Sequence, residues 1–427
     1  MRTLLFWLYI WQLKEYRLDR FVTYINELRI QDILYIFFIG LPKRPIITFK
    51  ILYISLLSVV IGFIGWNLFY DIGLMWLQVI ICTYFFVPIW VTLAVLIVNI
   101  PTWIVMKIIV RIAKYKIQRI KNLIVIGITG SYGKTTAKEY IADVLQTSYK
   151  VLRTHQGENT IIAIAKQIIF NLDNLFQVYI VEMGAYKKGE INAICKLTKP
   201  TIGVLTGINQ QHLALFGNQQ NIIDAKFELL ESLPPDGVSV VNVANEIISN
   251  NISRIKTESV LRYESHSIEE NKNAAILVGK YFGINDEQIK LGLANNIAMK
   301  NRMQIIKLKN GSLINNTYSS NPTGFENSLL ELSVSSGTKI VVTTGIYELG
   351  KMSQEINGDF NQKLGQNHIQ TFLVEPMHYK YYPNAILVNK LKQLITFIDK
   401  YDNFTILLEG RHRLINQLLE YLKKNYA

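Results

Sequence analysis

The stretch Gly127-Ile-Thr-Gly-Ser-Tyr-Gly-Lys-Thr-Thr136 decides the fold, because it joins a short apolar strand, Leu123–Ile128, to a helical stretch. Glycines let backbone N–H groups turn towards phosphate oxygens, and the start of a helix adds the positive end of its dipole. In such loops a lysine neutralises the β and γ phosphates and a threonine offers its hydroxyl to Mg²⁺. The stretch therefore predicts a nucleotide-binding loop in which Lys134 and Thr135 have these roles.

Around the loop, short apolar strands alternate with helical stretches. This alternation is typical of a parallel sheet with helices on both faces. The predicted strands are Leu123–Ile128, Val178–Glu182, Ile202–Thr206 and Val238–Val241, and the predicted helices are Thr135–Thr147, Ile161–Phe170, Ile222–Leu230 and Asn273–Phe282. A charged, Asn-rich stretch, Leu293–Arg302, is interpreted as a linker. Beyond it, three more strands, Ile340–Thr344, Thr371–Val374 and Thr405–Leu408, predict a second, smaller α/β unit.

The N-terminal part has the composition of a membrane region. Between Lys50 and Lys107 the only charged residue is Asp71. Helices at about 51–70 and 74–100 are each long enough to cross a hydrocarbon core of roughly 30 Å at about 1.5 Å rise per residue. The alternative is a soluble buried hairpin, but buried core helices seldom run this long without charges. We expect a membrane region over 1–121, a nucleotide-binding domain over 122–300 and a C-terminal domain over 301–427.

Basic residues flank both predicted spans, whereas the turn between them has none. They are Lys43, Arg44 and Lys50 before the first span and Lys107, Arg111, Lys114, Lys116 and Arg119 after the second. The positive-inside rule therefore places both ends, and the domains that follow, on the cytoplasmic face of the cell membrane. Thr102–Arg119 is predicted as a basic helix along the inner leaflet, or else a solvated helix end. Met1–Leu13 is too short to span and is interpreted as an interfacial or packing segment.

The composition and charge of the chain limit the kinds of partner that it is expected to bind. The chain has 427 residues, enough for two or three domains. A net charge of +13 suits nucleic acid, an anionic membrane or anionic metabolites. Its position beside the predicted spans favours the membrane, and no nucleic-acid partner is expected. Cys82 lies in a predicted span and Cys195 in the cytoplasmic part, so no disulfide framework or zinc site is expected.

The loop and the segments that follow it resemble the Mur ligase family, and within it the MurF type. Five residues separate Gly127 from Gly133, one more than in the common phosphate loop. Three later segments carry the same resemblance, namely Val181-Glu-Met-Gly-Ala185 with Gly189-Glu-Ile191, Asn209-Gln-Gln-His-Leu213, and Asp224-Ala-Lys-Phe-Glu228. The resemblance implies that Glu182 and His212 hold Mg²⁺ and that Lys226 is carbamylated.

The resemblance and the loop together give a set of candidate site residues. Contacts to ATP are expected from Gly127, Thr129, Gly130, Ser131, Gly133, Lys134, Thr135, Thr136, Asn159 and Arg302. Metal contacts are expected from Thr135, Glu182, His212 and Lys226, and catalytic roles from Lys134, Lys226 and His212. Taken singly, Lys226 could be a surface lysine, His212 a loop or core histidine and Glu182 a strand-end carboxylate. Their order and spacing after a phosphate loop favour the site.

The activity that the resemblance implies is ATP-dependent ligation of a carboxylate to an amine. The γ-phosphoryl group of ATP would convert the carboxylate into an acyl phosphate, which the amine attacks. The implied partners are a UDP-muramyl peptide donor and a D-amino acid or dipeptide acceptor such as D-Ala-D-Ala, with other cell-wall enzymes as further candidates. Two alternatives stay open: a ligase of the same chemistry on a poly-γ-glutamate-like substrate, and a membrane-tethered nucleotide-binding scaffold without turnover.

The C-terminal part both extends and departs from the resemblance. Ile314-Asn-Asn-Thr-Tyr-Ser-Ser-Asn-Pro322, Tyr347-Glu-Leu-Gly350 and Glu409-Gly-Arg411 are similar to MurF-type segments, and the implied fold there is a smaller Rossmann-like domain. Asn315 and Asn316 stand where the family has carboxylates. About thirty residues separate Asn242 from Asn273, where the family has a longer segment, and the membrane hairpin replaces the domain that holds the uridine-diphosphate sugar.

Overall fold

The computed structural model describes residues 2–27, 45–71, 76–155, 157–210, 213–266, 269–294, 304–317, 321–347, 349 and 352–426. The chain divides into two compact units, Met1–Arg111 and Ile112–Ala427. The first is helical, with α1 at Arg2–Leu13, α2 at Leu18–Glu27, α3 at Phe49–Asp71 and the start of α4, which runs from Trp76 to Ile117. By length and composition, Phe49–Leu68 and Phe85–Ile117 could each cross a membrane, with mean hydropathies of 2.0 and 2.2.

Helix α4 differs from the expected pattern. A span ending near residue 100 and a separate basic helix from Thr102 were predicted, but α4 is one helix of 42 residues with Pro88 and Pro101 inside it. A proline removes one backbone donor, and threonine side chains help to satisfy the backbone of apolar helices that contain proline. Thr102 Oγ1 donates to Val98 O at 2.8 Å, which is next in sequence to the Ile97 carbonyl that Pro101 leaves without its helical donor. The basic segment is therefore continuous with the apolar one.

Helix α1 is packed inside its unit. Phe6, Leu8 and Trp11 have no exposed surface, and Trp11 Nε1 donates to Thr92 Oγ1 at 3.3 Å. Of the two interpretations of this apolar segment, packing is confirmed.

A six-stranded parallel sheet forms the core of the nucleotide-binding domain, in the order β2-β3-β1-β4-β5-β6. Its strands are β1 at Ile124–Thr129, β2 at Val151–Arg153, β3 at Val178–Glu182, β4 at Ile202–Leu205, β5 at Val238–Asn242 and β6 at Ser259–Tyr263. The four predicted strands are confirmed within one or two residues at their ends, and β2 and β6 were not predicted. Because β1 and β3 are parallel neighbours, the phosphate loop and the end of β3 lie at the same edge of the sheet.

Helices cover both faces of this sheet. They are α5 at Lys134–Leu145, α6 at Ile161–Asn171, α7 at Glu190–Thr198, α8 at Leu213–Phe216, α9 at Gln219–Glu231, α10 at Glu246–Asn250, α11 at Lys272–Tyr281 and α12 at Asp286–Ala294. Alternate residues of a strand point to opposite faces. Ile126 and Ile128 belong to the core that α5, α11 and α12 cover, whereas Gly127 faces Leu229 of α9. The predicted layered α/β architecture is confirmed.

A second six-stranded sheet follows, in the order β11-β10-β9-β12-β8-β7, and only the β7–β8 pair is antiparallel. Its strands are β7 at Gln304–Leu308, β8 at Gly311–Asn316, β9 at Thr338–Thr343, β10 at Gln370–Leu373, β11 at Ile386–Leu387 and β12 at Phe404–Glu409. Its helices are α13 at Pro322–Val334, α14 at Ser353–Gln366, α15 at Leu391–Ile398 and α16 at Arg413–Tyr426. Apolar clusters lie on both faces of the sheet. The predicted second α/β unit is confirmed, and the β7–β8 hairpin is an addition to it.

Candidate active site

The phosphate loop runs from the end of β1 to the start of α5 and is held tightly. Gly133, which precedes α5, has φ of +76°. A Cβ on Gly130 would lie 2.2 Å from Thr206 Oγ1, so only glycine fits there. Ser131 N donates to Gly207 O at 2.6 Å, and Thr206 Oγ1 donates to Tyr132 O. Two hydrogen bonds therefore join the phosphate loop to the segment that follows β4.

The ammonium group of Lys134 lies over the loop. Its Nζ donates to Gly130 O at 2.7 Å and to Ser131 O at 3.2 Å. A phosphate oxygen is a stronger acceptor for an ammonium than a neutral carbonyl, because both partners of the hydrogen bond are then charged. The position of Lys134 therefore agrees with its predicted role in holding an anionic group.

Three of the predicted residues meet at the end of β3. Thr135 Oγ1 donates to Glu182 Oε2 at 2.7 Å, and Asn159 Nδ2 lies 3.5 Å from Glu182 Oε1. The backbone fixes the asparagine as well, since Gly184 N donates to Asn159 O at 2.9 Å. Glu182 is buried, with only 3% of its surface exposed. A carboxylate, a hydroxyl and an amide are thus brought together beside the phosphate loop.

This arrangement fits Mg²⁺ in the form in which the ion accompanies a nucleotide. Mg²⁺ prefers oxygen ligands and is usually held by one or two carboxylates together with phosphate oxygens and water. Thr135 and Glu182 supply a hydroxyl and a carboxylate at the edge of the loop. Among the described residues there is no group of three His, Cys, Asp or Glu side chains that could hold a metal by itself. Phosphate oxygens of the nucleotide and water molecules would supply further ligands of such an ion.

Lys226 is not a surface lysine. It lies on α9 with 4% of its surface exposed, and its Nζ is 6.0 Å from the centre of the Phe216 ring. Burial, and next to it the positive charge of Lys134, lower the pKa of Lys226 to about 7, against the opposing effect of Glu190 and Glu228. A large fraction of this amine is therefore neutral near physiological pH.

The remaining predicted residues divide into four groups. Ser131 belongs to the loop, where its Oγ accepts from Asn209 N at 3.2 Å. Gly127 and Thr129 lie inside the sheet rather than on the loop surface, because Thr129 Oγ1 donates to Met183 O at 2.9 Å and Gly127 faces α9. Thr136 Oγ1 is buried and has no hydrogen-bond partner in the described part of the chain. His212 and Arg302 lie outside the described residues, so their roles stay predictions.

One site residue was not predicted. Lys138 has no exposed surface, donates to Thr154 O at 2.7 Å and lies 3.3 Å from Glu182 Oε2. A signal for it exists in the sequence, since it follows Lys134 by four residues. Residues four apart lie on the same face of a helix, so Lys138 is expected on the same side of α5 as Lys134.

The family model for the Mur ligase middle domain matches residues 128–309. The part of the chain that is similar to a Mur ligase middle domain thus carries most of the phosphate loop, Glu182 and Lys226.

MurF-type ligases are homologues of this chain. The UDP-N-acetylmuramoyl-tripeptide--D-alanyl-D-alanine ligase of Bacillus subtilis is 29% identical over 264 residues, which cover 54% of this chain and 58% of the relative. The chain thus spans little more than half the length of this relative. MurF from Acinetobacter baumannii has the same fold, with a TM-score of 0.68 at 21% identity over 75% of this chain and 81% of that one. MurF from Thermotoga maritima in complex with ADP gives 0.67 at 20% identity over 75% and 83%. The resemblance seen in the motifs is confirmed.

Proposed function

We propose that this chain is an ATP-dependent carboxylate–amine ligase that adds D-Ala-D-Ala, or a similar amine, to a UDP-muramyl peptide in peptidoglycan precursor synthesis. The observation that carries the proposal is the hydrogen bond from Thr135 in the phosphate loop to Glu182 at the end of β3. The contact supports the proposal because a metal ion bound to ATP phosphates needs a carboxylate ligand beside the loop threonine. The names of the homologues supply the substrates.

The residues of the chain have distinct tasks in this chemistry. A carboxylate is a poor electrophile, so the γ-phosphoryl group of ATP must first be transferred to it, and the amine then displaces phosphate from the acyl phosphate. The loop N–H groups and Lys134 would hold the β and γ phosphates in line with the donor carboxylate. Thr135, Glu182 and, by resemblance, His212 would hold Mg²⁺, which offsets negative charge on the transferring group.

Lys226 would act as a carbamate. Only a neutral amine attacks carbon dioxide, forming an N–C bond and releasing a proton. The pKa near 7 keeps a large part of Lys226 neutral under physiological conditions, whereas an ordinary lysine at that pH is almost wholly protonated. The reaction converts a buried cation into a bidentate anion, which suits a group close to a metal ion and to Lys134.

We also propose that the chain is anchored in the cell membrane by two spans, with the catalytic domains on the cytoplasmic face. The most apolar 18-residue stretches of α3 and α4 are only 22% and 17% buried within the protein. Leu56, Phe63 and Ile100 are each more than 60% exposed. A soluble hairpin would leave this apolar surface in water. The basic residues at both flanks and the lack of them in the turn support the orientation.

Two alternatives differ in substrate or in turnover. Asn316, where the family has a carboxylate, donates to Glu409 Oε2 at 2.7 Å and to Ser328 Oγ at 2.8 Å, and so joins β8, β12 and α13. This internal role leaves the acceptor contacts unassigned and keeps open a poly-γ-glutamate-like substrate. A scaffold without turnover is less favoured, because nucleotide binding alone has no need of Glu182 and Lys226 beside the loop.

The test is a reconstituted reaction with the full chain in detergent or lipid nanodiscs. ADP and phosphate should appear only when a UDP-muramyl peptide and a D-amino acid or dipeptide are both present, with the amide product seen by mass spectrometry. Glu182→Gln, which keeps the size of the side chain but removes its charge, should lower the rate about 100-fold or more. The absence of any ligation product across a panel of muramyl peptides and amines would sink the wall-ligase proposal. ATP binding without ADP release would then favour the scaffold, and turnover with a poly-γ-glutamate-like substrate would favour the other ligase.

A further inference from the structure

Charges of alternating sign, buried at Lys138 and partly exposed at Arg153, run from the phosphate loop to the edge of the sheet. Lys138 lies in the second turn of α5 with no exposed surface. Its Nζ donates to Thr154 O at 2.7 Å and lies 3.3 Å from both Glu182 Oε2 and Glu139 Oε1. An ammonium has three donors, and three acceptors surround this one. A buried lysine that is fully paired in this way has a fixed position.

The chain of charges continues outward through Glu139. Its Oε1 faces Lys138, and its Oε2 lies 2.8 Å from Arg153 Nε. Arg153 in turn contacts Asp143 Oδ1 at 3.3 Å through Nη1. Arg153 belongs to β2, the two acids to α5 and Glu182 to β3. The network therefore links α5, which begins at the phosphate loop, to β2 and β3, and Lys138 is its more buried cation.

Glu182 receives two donors on the same oxygen. Thr135 Oγ1 lies 2.7 Å and Lys138 Nζ 3.3 Å from Oε2. Two donors on one oxygen fix the rotation of a carboxylate, so its second oxygen is also fixed in direction. That oxygen, Oε1, faces Asn159 Nδ2 at 3.5 Å. If the Thr135 hydroxyl turned to a metal ion, it would no longer hold Glu182 Oε2. Lys138 would then be the donor that keeps this oxygen in place.

We propose that Lys138 is a positioning residue, which holds the Glu182 carboxylate in the orientation that binds the nucleotide's divalent cation. The inference rests on the proposed function in so far as Glu182 is taken as a ligand of that cation. Groups that orient a metal ligand typically change metal affinity about 10- to 100-fold when they are removed. Lys138 does not touch nucleotide in this account, so its loss should change the dependence on Mg²⁺ and not the nucleotide site itself.

The experiment measures binding of a fluorescent ATP analogue to the full chain, first in EDTA and then over a range of Mg²⁺ concentrations. The main variant is Lys138→Met with Glu139→Gln, which removes one charge of each sign, keeps the net charge unchanged and takes from Glu182 its lysine partner. Lys138→Arg keeps the charge but moves it, and exposed Lys166→Met is the matched control on a neighbouring helix. Thermal melting of each variant reports folding.

We expect the half-saturating Mg²⁺ concentration to rise about tenfold or more in the double variant and about threefold in Lys138→Arg, with binding in EDTA unchanged and Lys166→Met like the natural chain. If the double variant does not fold, Lys138→Arg gives the result. If the folded variants depend on Mg²⁺ as the natural chain does, the inference about Lys138 is wrong, and the proposed function is not affected. A natural chain whose nucleotide binding ignores Mg²⁺ overturns the metal role of Glu182 and the inference with it. Normal Mg²⁺ dependence without ligation overturns the proposed function but leaves the role of Lys138 intact.

Discussion

Lys226 lies on α9 with 4% of its surface exposed, and burial beside Lys134 lowers its pKa to about 7. The fraction of Lys226 that is neutral increases as the pH rises through that value, and only the neutral amine can become a carbamate. Well below pH 7 most of the amine is protonated, so little carbamate can form. Activity that needs the carbamate should therefore be lost on the acid side and gained as the pH rises through about 7.

We predict that Lys226→Ala keeps ATP binding but lowers turnover about 100-fold or more, because it removes a charged group close to the transferring phosphoryl. Short-chain carboxylic acids such as acetate should restore part of the rate by placing a carboxylate in the space. The measurement is ADP release against pH, with bicarbonate present, for the natural chain and the rescued variant.

The rescued variant is its own control for this titration, since acetate is ionised throughout the range from pH 6 to 8. The natural chain should lose activity below about pH 7, and the acetate-rescued variant should not lose it in parallel. Full activity of Lys226→Ala without added acid would remove the carbamate from the account.

At this scale the sequence predicts which residue types are used but not how they pair. Lys134, Thr135 and Glu182 follow from motif order, and the structure brings Thr135 and Glu182 together. The contact between Lys138 and Glu182 joins α5 to β3 across 44 positions of sequence, and nothing local encodes that partner. Gly127 and Thr129 match the motif too, yet their side of the strand faces α9 and Met183, because alternate residues of a strand face opposite ways.

At the scale of elements, the phosphate loop depends on the absence of a side chain at Gly130. A Cβ there would lie 2.2 Å from Thr206 Oγ1, in a backbone region that side chains rarely adopt. We predict that Gly130→Ala weakens ATP binding about tenfold or more, since the loop must move away from β4. Titration with a fluorescent ATP analogue measures this directly.

The matched control is Gly283→Ala. Gly283 also has a positive φ, of +72°, but nothing lies within 4 Å of the position of its Cβ. This variant has the conformational strain without the clash, and Gly283 lies between α11 and α12, apart from the loop. Equal loss of ATP binding in both variants would show that strain alone, and not the approach of Thr206, disturbs the loop.

The strands that consist of buried apolar runs were predicted correctly, whereas the two edge strands of the first sheet were missed. The four central strands are continuous apolar runs, as expected of strands buried on both faces. Strand β2 has only three residues, and β6 is an edge strand whose residues are mostly half-exposed, so neither has a strong apolar pattern. The second span was predicted to end near residue 100, but the one donor missing at Pro101 does not break a long apolar helix whose neighbouring turns remain hydrogen-bonded.

At the scale of the whole molecule, the two apolar helices predict a topology. A reporter fused at the Asp71 turn should lie outside the cell, and the same reporter fused after Ala427 should lie in the cytoplasm. Alkaline phosphatase, which is active only outside the cytoplasm, gives a direct measurement in intact cells. Phosphatase activity at Ala427, or its absence at Asp71, would contradict the proposed orientation.

The packing of α1 also sets an order of events during synthesis. Trp11 donates to Thr92, 81 residues later, and a ribosome adds roughly 5–20 residues per second, so the two are made roughly 4–16 seconds apart. With about 20 residues needed to cross a bilayer, the 12 residues of α1 cannot settle as a span on their own in the meantime. Trp11 reaches its partner only after that part of α4 has been made, so in this unit an early-made helix completes its contacts late.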